Sequence, residues 1–201
     1  MEETTTDGRV ARTHRTRAAI FDALLGLLRD GNLNPSAPEI AERAGISKRS
    51  LYVHFATLED LYRDVAERSA ALVIDMLWVI DPSLPLGERI DAICDQRAKV
   101  HEEIGPLRRA ATVRASTSPA AAESRRYATE SSRQQVERVF AAELKALGAA
   151  ARSRRVAAVD AVISGETWDL WRTTHALSVE EARRTMHDAM STLLEIGRDR
   201  E

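Results

Sequence analysis

The helix-breaking residues of this sequence are few and lie in groups, and this pattern constrains the fold most strongly. Between the groups, apolar residues recur every three or four positions, and no segment shows the two-residue alternation of a strand. Alanine, leucine, arginine and glutamate, all good helix formers, fill these intervals. The main breakers lie at positions 31–38, 45, 82–87, 105–106, 119 and 148. The sequence therefore predicts an all-α fold of about nine helices.

The composition excludes several classes of protein. With 201 residues, the chain can bury a core without disulfides or metal ions. It is 44% hydrophobic and 30% charged, which is typical of a globular protein rather than a disordered or membrane protein. The first ten residues lack the apolar core of a signal peptide, and no long apolar run predicts a membrane span. With Cys94 as the single cysteine, these features predict a cytoplasmic protein without disulfides.

The charge of the chain is unevenly distributed. The net charge is −2, but residues 9–55 carry eight basic and four acidic side chains. The rest of the chain is mildly acidic. A basic N-terminal block on an acidic body indicates where a polyanion such as DNA would bind.

Capping residues and apolar spacing predict the helix boundaries. Ser36-Ala37-Pro38-Glu39 is a capping box, and Ser47 and Thr57 are N-caps. The first four helices are predicted at about 12–29, 37–44, 48–55 and 57–81. Five further helices are predicted at roughly 86–103, 106–117, 120–147, 152–176 and 179–198.

Residues 37–55 have the pattern of a helix-turn-helix unit. Two short helices are joined by a tight turn, in which Gly45 supplies the necessary backbone freedom. Leu51 is expected to tie the second helix to the core. Its outward face then carries Lys48, Arg49, Ser50, Tyr52 and His54. Three of these side chains can donate to phosphates, and we expect Arg49 to read a base edge, at a guanine.

The pattern Ile40-Ala41-x-x-Ala44-Gly45-Ile46-Ser47-x-x-x-Leu51-Tyr52-x-His54-Phe55 resembles the TetR family of bacterial transcriptional regulators. The resemblance is dense over about residues 12–65 and extends to the rest only by layout. It implies a DNA-binding domain over residues 1–56 and an effector-binding and dimerisation domain over residues 57–201, with a helix at 57–80 linking the two. It also implies a homodimer, held by a four-helix bundle, that leaves a palindromic operator when a small-molecule effector binds.

The resemblance also implies roles in DNA binding for particular residues. By position, Ser36, Lys48, Tyr52 and His54 match residues that hold phosphates, Arg49 and Ser50 match base-facing residues, and we add Ser47 to this set. Four arginines precede the first helix or lie in its first turns, and they form a basic N-terminal arm that either enters the minor groove or remains a solvated tail. They are Arg9, Arg12, Arg15 and Arg17. Leu58 departs from the family pattern, which usually has a phosphate-binding lysine there. We expect this departure to weaken non-specific DNA binding.

Charged and aromatic residues on apolar helix faces are candidates for an effector site. Arg97 and His101 either bind an anion or pair with a buried acid such as Glu166. Arg114 has the same two interpretations. Trp168 and Trp171, on one face with His175, either stack on a ligand or, as we favour, pack in the core. Tyr127 is a candidate pocket hydroxyl.

No motif in the sequence indicates catalysis. The chain has no glycine-rich phosphate loop, no GxSxG elbow and no metal-binding HExxH or CxxC motif. We therefore expect no enzyme activity, metal site or cofactor, and we interpret Cys94 as a buried small hydrophobic residue. An alternative to the repressor is a dimeric helical ligand-binding or adaptor protein with vestigial DNA-binding heads. Leu58 favours this alternative slightly, and the intact segment from Ser47 to Phe55 opposes it.

Overall fold

The computed structural model describes residues 3–116 and 118–195, without the side chains of residues 3–9 and 120. Every regular element in these residues is a helix, which confirms the predicted all-α fold. The helices are α1 (Glu3–Arg29), α2 (Ala37–Arg43), α3 (Lys48–His54), α4 (Leu58–Met76), α5 (Leu86–Arg114), α6 (Pro119–Val139), α7 (Ala141–Lys145), α8 (Ala149–Val162), α9 (Gly165–Asp169) and α10 (Val179–Glu195). A π-helical turn, Leu170–Thr174, continues α9. None of the helices in the described ranges is long and apolar enough to cross a membrane.

The chain divides into two compact units. The first contains residues up to Ala70 and the segment Pro106–Ser124. The second contains Ala71–Gly105 and the chain from Arg125 onward. The functional domains at 1–56 and 57–201 stay a prediction, since the compact units are defined by contacts and not by binding.

The first unit is built on an apolar cluster to which four helices contribute. Its buried members come from α1, α2, α3 and α4, and the residues after Pro106 add to them. They are Ile20, Leu24, Leu28, Ala37, Ile40, Ala41, Leu51, Phe55, Leu61, Val65, Leu107 and Ala110. The turn between α2 and α3 has Gly45 at a φ of 66°, a left-handed conformation that glycine adopts without strain.

A partly buried polar cluster in the first unit holds the first turn of α4. Glu59 accepts hydrogen bonds from Arg114 Nη2 at 2.8 Å and from the Ser118 hydroxyl at 2.5 Å. The Arg114 guanidinium also lies 3.7 Å from the ring centroid of Tyr62. The bond from Ser118, followed by the contacts with Arg114, lowers the pKa of Glu59 despite partial burial. One carboxylate thus joins α4 to the end of α5 and the start of α6.

The second unit has its own apolar core with a buried ion pair beside it. Arg89 on α5 pairs with Glu143 at 2.7 Å, and both side chains are less than a tenth exposed. Arg89 also donates to the carbonyls of Leu84 and Val139. The core contains Ile80, Ile90, Ile93, Cys94, Ala98, Val136, Val139, Phe140, Leu144, Val156, Val159, Ile163, Trp168, Ala182, Met186, Met190 and Leu194.

Two predicted ends of helices were wrong in the N-terminal half. The first helix begins at Glu3 rather than Arg12, because extending a helix needs no new nucleation and only Gly8 interrupts the preceding residues. The fourth helix ends at Met76 rather than near Asp81. Non-helical backbone after Met76 allows Ile80 to be buried and presents the carbonyl of Trp78 to the buried amide of Gln96.

In the C-terminal half, the breaks between helices differ from the predicted ones because tertiary contacts determine them. α5 runs through Pro106 as one helix, since Val100 before it and Leu107 after it are both buried. The predicted helix at 120–147 is interrupted at Phe140. The carbonyl of the preceding residue, Val139, accepts a hydrogen bond from Arg89. The predicted helix at 152–176 breaks at Ser164, whose hydroxyl accepts the N–H of Thr167 and caps α9. The end predicted at 198 lies outside the described residues.

We predict that the Glu59 cluster stabilises the protein measurably. At pH 7, Glu59→Gln should lower the free energy of unfolding by about 1–3 kcal/mol, because Arg114 loses its charged acceptor. The pKa of Glu59 is lowered in the folded state, so the wild type should lose this advantage as the pH falls below 4.5, the usual glutamate value. Denaturant unfolding followed by circular dichroism measures both effects. Glu67→Gln, an exposed change on the same helix, is the control, and an equal loss there would contradict the prediction.

Candidate nucleic-acid interface

The exposed face of α3 carries four neighbouring side chains. Lys48, Arg49, Tyr52 and Val53 are exposed, and their spacing places them on one side of the helix. On the opposite side, Leu51 is fully buried. The helix is therefore anchored by its apolar side and presents a continuous surface to solvent.

Two cations on this face are available for an external partner. Arg49 makes no hydrogen bond or ion pair with any residue that the structure describes. Lys48 has its ammonium 6.0 Å from the ring centroid of Tyr52 and is otherwise also without a polar partner in the described ranges. Since α3 contains no acidic residue, its surface is well suited to a polyanion.

The serines predicted to bind DNA have structural roles at helix starts. Ser47 is the N-cap of α3, and its hydroxyl accepts the N–H of Ser50 at 3.1 Å. Ser36 precedes α2 and donates both its backbone N–H and its hydroxyl to Glu39. These bonds from Ser36 lower the pKa of Glu39. DNA contacts by Ser36, Ser47 and Ser50 stay a prediction, and for Ser36 such a contact requires its hydroxyl to leave Glu39.

The end of α3 is fixed by Phe55, which lies under an arginine of α1. The Arg17 guanidinium lies 4.6 Å from the ring centroid of Phe55 and pairs with Asp64 at 3.1 Å. Arg17 is thus part of the packing between α1, α3 and α4, although we grouped it with the basic arm from its position in the sequence. His54, beside Phe55, is half-buried and its role as a phosphate contact stays a prediction.

The basic N-terminal segment is helical and not an extended arm. Arg12 and Arg15 lie within α1 and are exposed. A helix with side chains is about 10 Å across, whereas the minor groove is about 6 Å wide, so this segment cannot enter the groove as a helix. The arm in the minor groove stays a prediction that requires another conformation of this segment. Contact of Arg12 and Arg15 with phosphates stays a prediction.

Two further residues, Val53 and Leu58, bear on this surface. Val53 is 76% exposed on the face that carries Arg49, and we did not predict a role for it. Its signal in the sequence was a β-branched apolar residue at an outward position. Leu58, at the place of the family's usual lysine, packs partly buried against the apolar cluster of the first unit.

Arg97 lies in a polar network inside the second unit. Its Nη2 donates to Gln135 at 2.6 Å and to Ser132 at 3.3 Å. Its Nε is buried and has no hydrogen-bond partner, and no described residue forms an ion pair with Arg97. Burial lowers the pKa of Arg97, and Asp160 nearby opposes this effect. The alternative partner Glu166 pairs instead with Arg125.

The network of hydrogen bonds extends from Arg97 to Trp78, which lies two residues after the end of α4. Gln135 donates to Gln96, and Gln96 donates in turn to the carbonyl of Trp78. Ser132 donates to Asp160 on α8 at 2.7 Å. Side chains of α5, α6 and α8 are therefore linked by hydrogen bonds around the half-buried Arg97 guanidinium.

His101 and the tryptophans pack in the core of the second unit. His101 Nε2 lies 2.9 Å from the carbonyl of Ile163, and its ring is 6.0 Å from that of Trp168. Trp168 is 1% exposed and donates to Glu102 at 2.9 Å. Trp171 packs partly buried against the same core, whereas the π-helical turn leaves His175 exposed. These contacts agree with core packing, which we favoured for both tryptophans.

The other two predicted ligand residues do not join this group. Arg114 belongs to the first unit, where it pairs with Glu59. Tyr127 is 76% exposed. Arg97, His101, Trp168, Trp171 and the exposed Tyr127 thus belong to the second unit, whereas Arg114 belongs to the first.

Cys94 is fully buried, as predicted. Burial raises the pKa of the Cys94 thiol to about 12, which leaves the thiol protonated and unreactive at neutral pH. Within the described part of the chain, no three His, Cys, Asp or Glu side chains cluster in a way that would hold a metal ion.

Comparisons with known proteins agree with the first unit's architecture. The model of the tetR family of bacterial regulatory proteins matches residues 14–65. A transcriptional regulator from Rhodococcus sp. Rha1 superposes with a TM-score of 0.67 at 22% identity, covering 91% of this chain and 96% of that one. A tetR-family transcriptional regulator from Streptomyces coelicolor gives 0.70 at 18% identity, covering 94% and 84%. No curated protein matches the sequence. Residues 14–65 therefore carry a domain of the tetR family of bacterial regulatory proteins, and the fold of the chain is similar to that of these two regulators.

Proposed function

We propose that this protein is a repressor that binds a palindromic operator through α3. The observation that carries the proposal is the exposed face of α3, where Lys48 and Arg49 have no ion pair within the described residues. Arg49 donates to the N7 and O6 atoms of a guanine in the major groove, and Lys48 binds a neighbouring phosphate. Tyr52 and His54 contribute further phosphate contacts. This activity places the protein in the cytoplasm with the chromosome and involves binding without catalysis.

We propose that the protein acts as a homodimer through α8 and α10. α8 carries three arginines and one aspartate, whereas α10 carries four acids and two arginines. In a two-fold interface each surface meets its own copy, so α8 of one protomer can lie against α10 of its partner with opposite charge. A dimer presents two copies of α3, which accounts for a palindromic operator.

We propose an anionic small molecule as the effector, with Arg97 as its counterion. The Arg97 guanidinium is half-buried and has no ion pair within the described residues, which is costly, and a bound carboxylate would offset this cost. An anion that draws Arg97 away from Gln135 would disturb the bond from Gln96 to Trp78. Trp78 lies two residues after the end of α4, so this change would act on α4. In the sequence, α4 is the helix that follows α3. The effector acts only through different affinities for the two conformations.

A ligand-binding protein with vestigial DNA-binding heads is the second candidate. It is favoured by the burial of Leu58 in the apolar cluster, because a phosphate-binding lysine is absent there. A protein of this kind would bind DNA only non-specifically, with an affinity set by salt. Sequence-specific binding separates the two candidates.

Selection of genomic DNA fragments by the purified protein at near-physiological salt tests the repressor. We expect recovery of a palindromic site with two equivalent half-sites. Arg49→Ala should weaken binding to that site by about 1–3 kcal/mol and relax the preference at one base pair in each half-site. Arg29→Ala, a change of an exposed arginine at the end of α1, is the matched control. Fragments without a shared sequence would favour the vestigial heads.

Thermal unfolding with paired ligands tests the effector class. The pairs are small organic acids and their neutral esters with the same carbon skeleton. An acid that binds the native protein should stabilise it by about 2.7 kcal/mol at a hundred times its dissociation constant, and its ester should not. Arg97→Met should abolish this stabilisation. Stabilisation by esters alone, or unchanged stabilisation in the variant, would exclude Arg97 as the counterion.

A further inference from the structure

Val53 is an apolar residue at a position that a solvated helix would not favour. It is 76% exposed in a helix of only seven residues. A β-branched side chain lowers helix propensity, and an exposed valine gains nothing from burial. Such a departure from local preference is expected where a residue serves binding. The valine therefore indicates a surface that is covered in the functional state.

The residues around Val53 indicate which class of binding partner covers it. Arg49 lies one helical turn before it, so the two side chains are adjacent on the exposed face at about 5–6 Å between their Cβ atoms. Lys48 and Tyr52 share that face, and α3 has no acid. A membrane or an apolar protein partner would require a larger apolar area than one valine provides. A polyanion with a small apolar group among its polar edges fits this combination.

We propose that Val53 contacts the 5-methyl group of a thymine in each operator half-site. This inference rests on the proposed DNA binding by α3. Among the base edges of the major groove, the methyl group of thymine is the one apolar feature. The distance between Arg49 and Val53 along the helix places this thymine within one or two base pairs of the guanine that Arg49 reads. Val53 also has a stiff χ1 in a helix, so its methyl groups are held in place before binding.

Replacement of thymine by uracil tests this contact, because it removes the methyl group and leaves the base pairing intact. Operator duplexes carry deoxyuridine at one thymine position at a time, symmetrically in both half-sites. Dissociation constants are measured at fixed salt. For the wild-type protein we expect one position to weaken binding by about fourfold per half-site, as expected for one buried methyl group.

The variant Val53→Ala assigns the effect to this side chain. It should bind the thymine operator more weakly than the wild type and should bind the thymine and uracil operators equally. Val10→Ala, which removes the same atoms from another exposed valine on α1, should keep the wild-type preference for thymine. Circular dichroism of Val53→Ala controls for folding, which we expect to be unchanged since alanine favours helices.

The outcomes distinguish this inference from the function on which it rests. Specific binding with no sensitivity to uracil at any position would overturn the role of Val53 and leave the repressor intact. Equal sensitivity in the wild type and in Val53→Ala would do the same, as would a half-site without thymine. Failure of the wild-type protein to select any sequence would instead overturn the proposed repressor, and the inference with it.

Discussion

The burial of Leu51 and Phe55 is the constraint on which the exposed face of α3, our proposed DNA-reading surface, depends. α3 has seven residues and is too short to be stable as an isolated helix. Leu51 is fully buried, and Phe55 lies under the Arg17 guanidinium. Packing on this side thus holds the helix in place. The exposed side is left free to carry residues chosen for binding rather than for stability, such as Arg49 and Val53.

Local signals in the sequence predicted the N-terminal half well. Capping residues and glycine act within a few positions, so the starts of α2 and α3 follow from Ser36 and Ser47, and the turn between them follows from Gly45. The outward face of α3 follows from the burial of Leu51 alone. The helical start of α1 at Glu3 was missed, since no cap or breaker marks it.

The C-terminal half depends on contacts that spacing along the chain does not reveal. The break at Phe140 accompanies a bond from Arg89, which lies 50 positions earlier. Pro106 does not break α5, because apolar packing on both of its sides offsets the missing hydrogen bond. The π-helical turn after α9 shifts the helical register, so His175 leaves the face that it would share with Trp168 in a regular helix.

The candidate effector residues illustrate the same limit. Arg97 and Arg114 both lie on α5 and have equivalent patterns in the sequence, but their surroundings differ. Arg114 has a carboxylate partner in Glu59, whereas Arg97 has only neutral hydrogen-bond partners among the described residues. The difference comes from helices distant in sequence. Of the two, Arg97 is the residue without a carboxylate partner among the described residues, which is why we propose it as the counterion of a ligand.

Protection of operator guanines from methylation at N7 by dimethyl sulfate tests most directly whether α3 reads the major groove. N7 lies on the edge that Arg49 is expected to contact. The account predicts protection of one or more guanines in each half-site by the wild-type protein, with the loss of one protected guanine per half-site for Arg49→Ala at saturating protein. Full binding without N7 protection, or the same protection by both proteins, would contradict it.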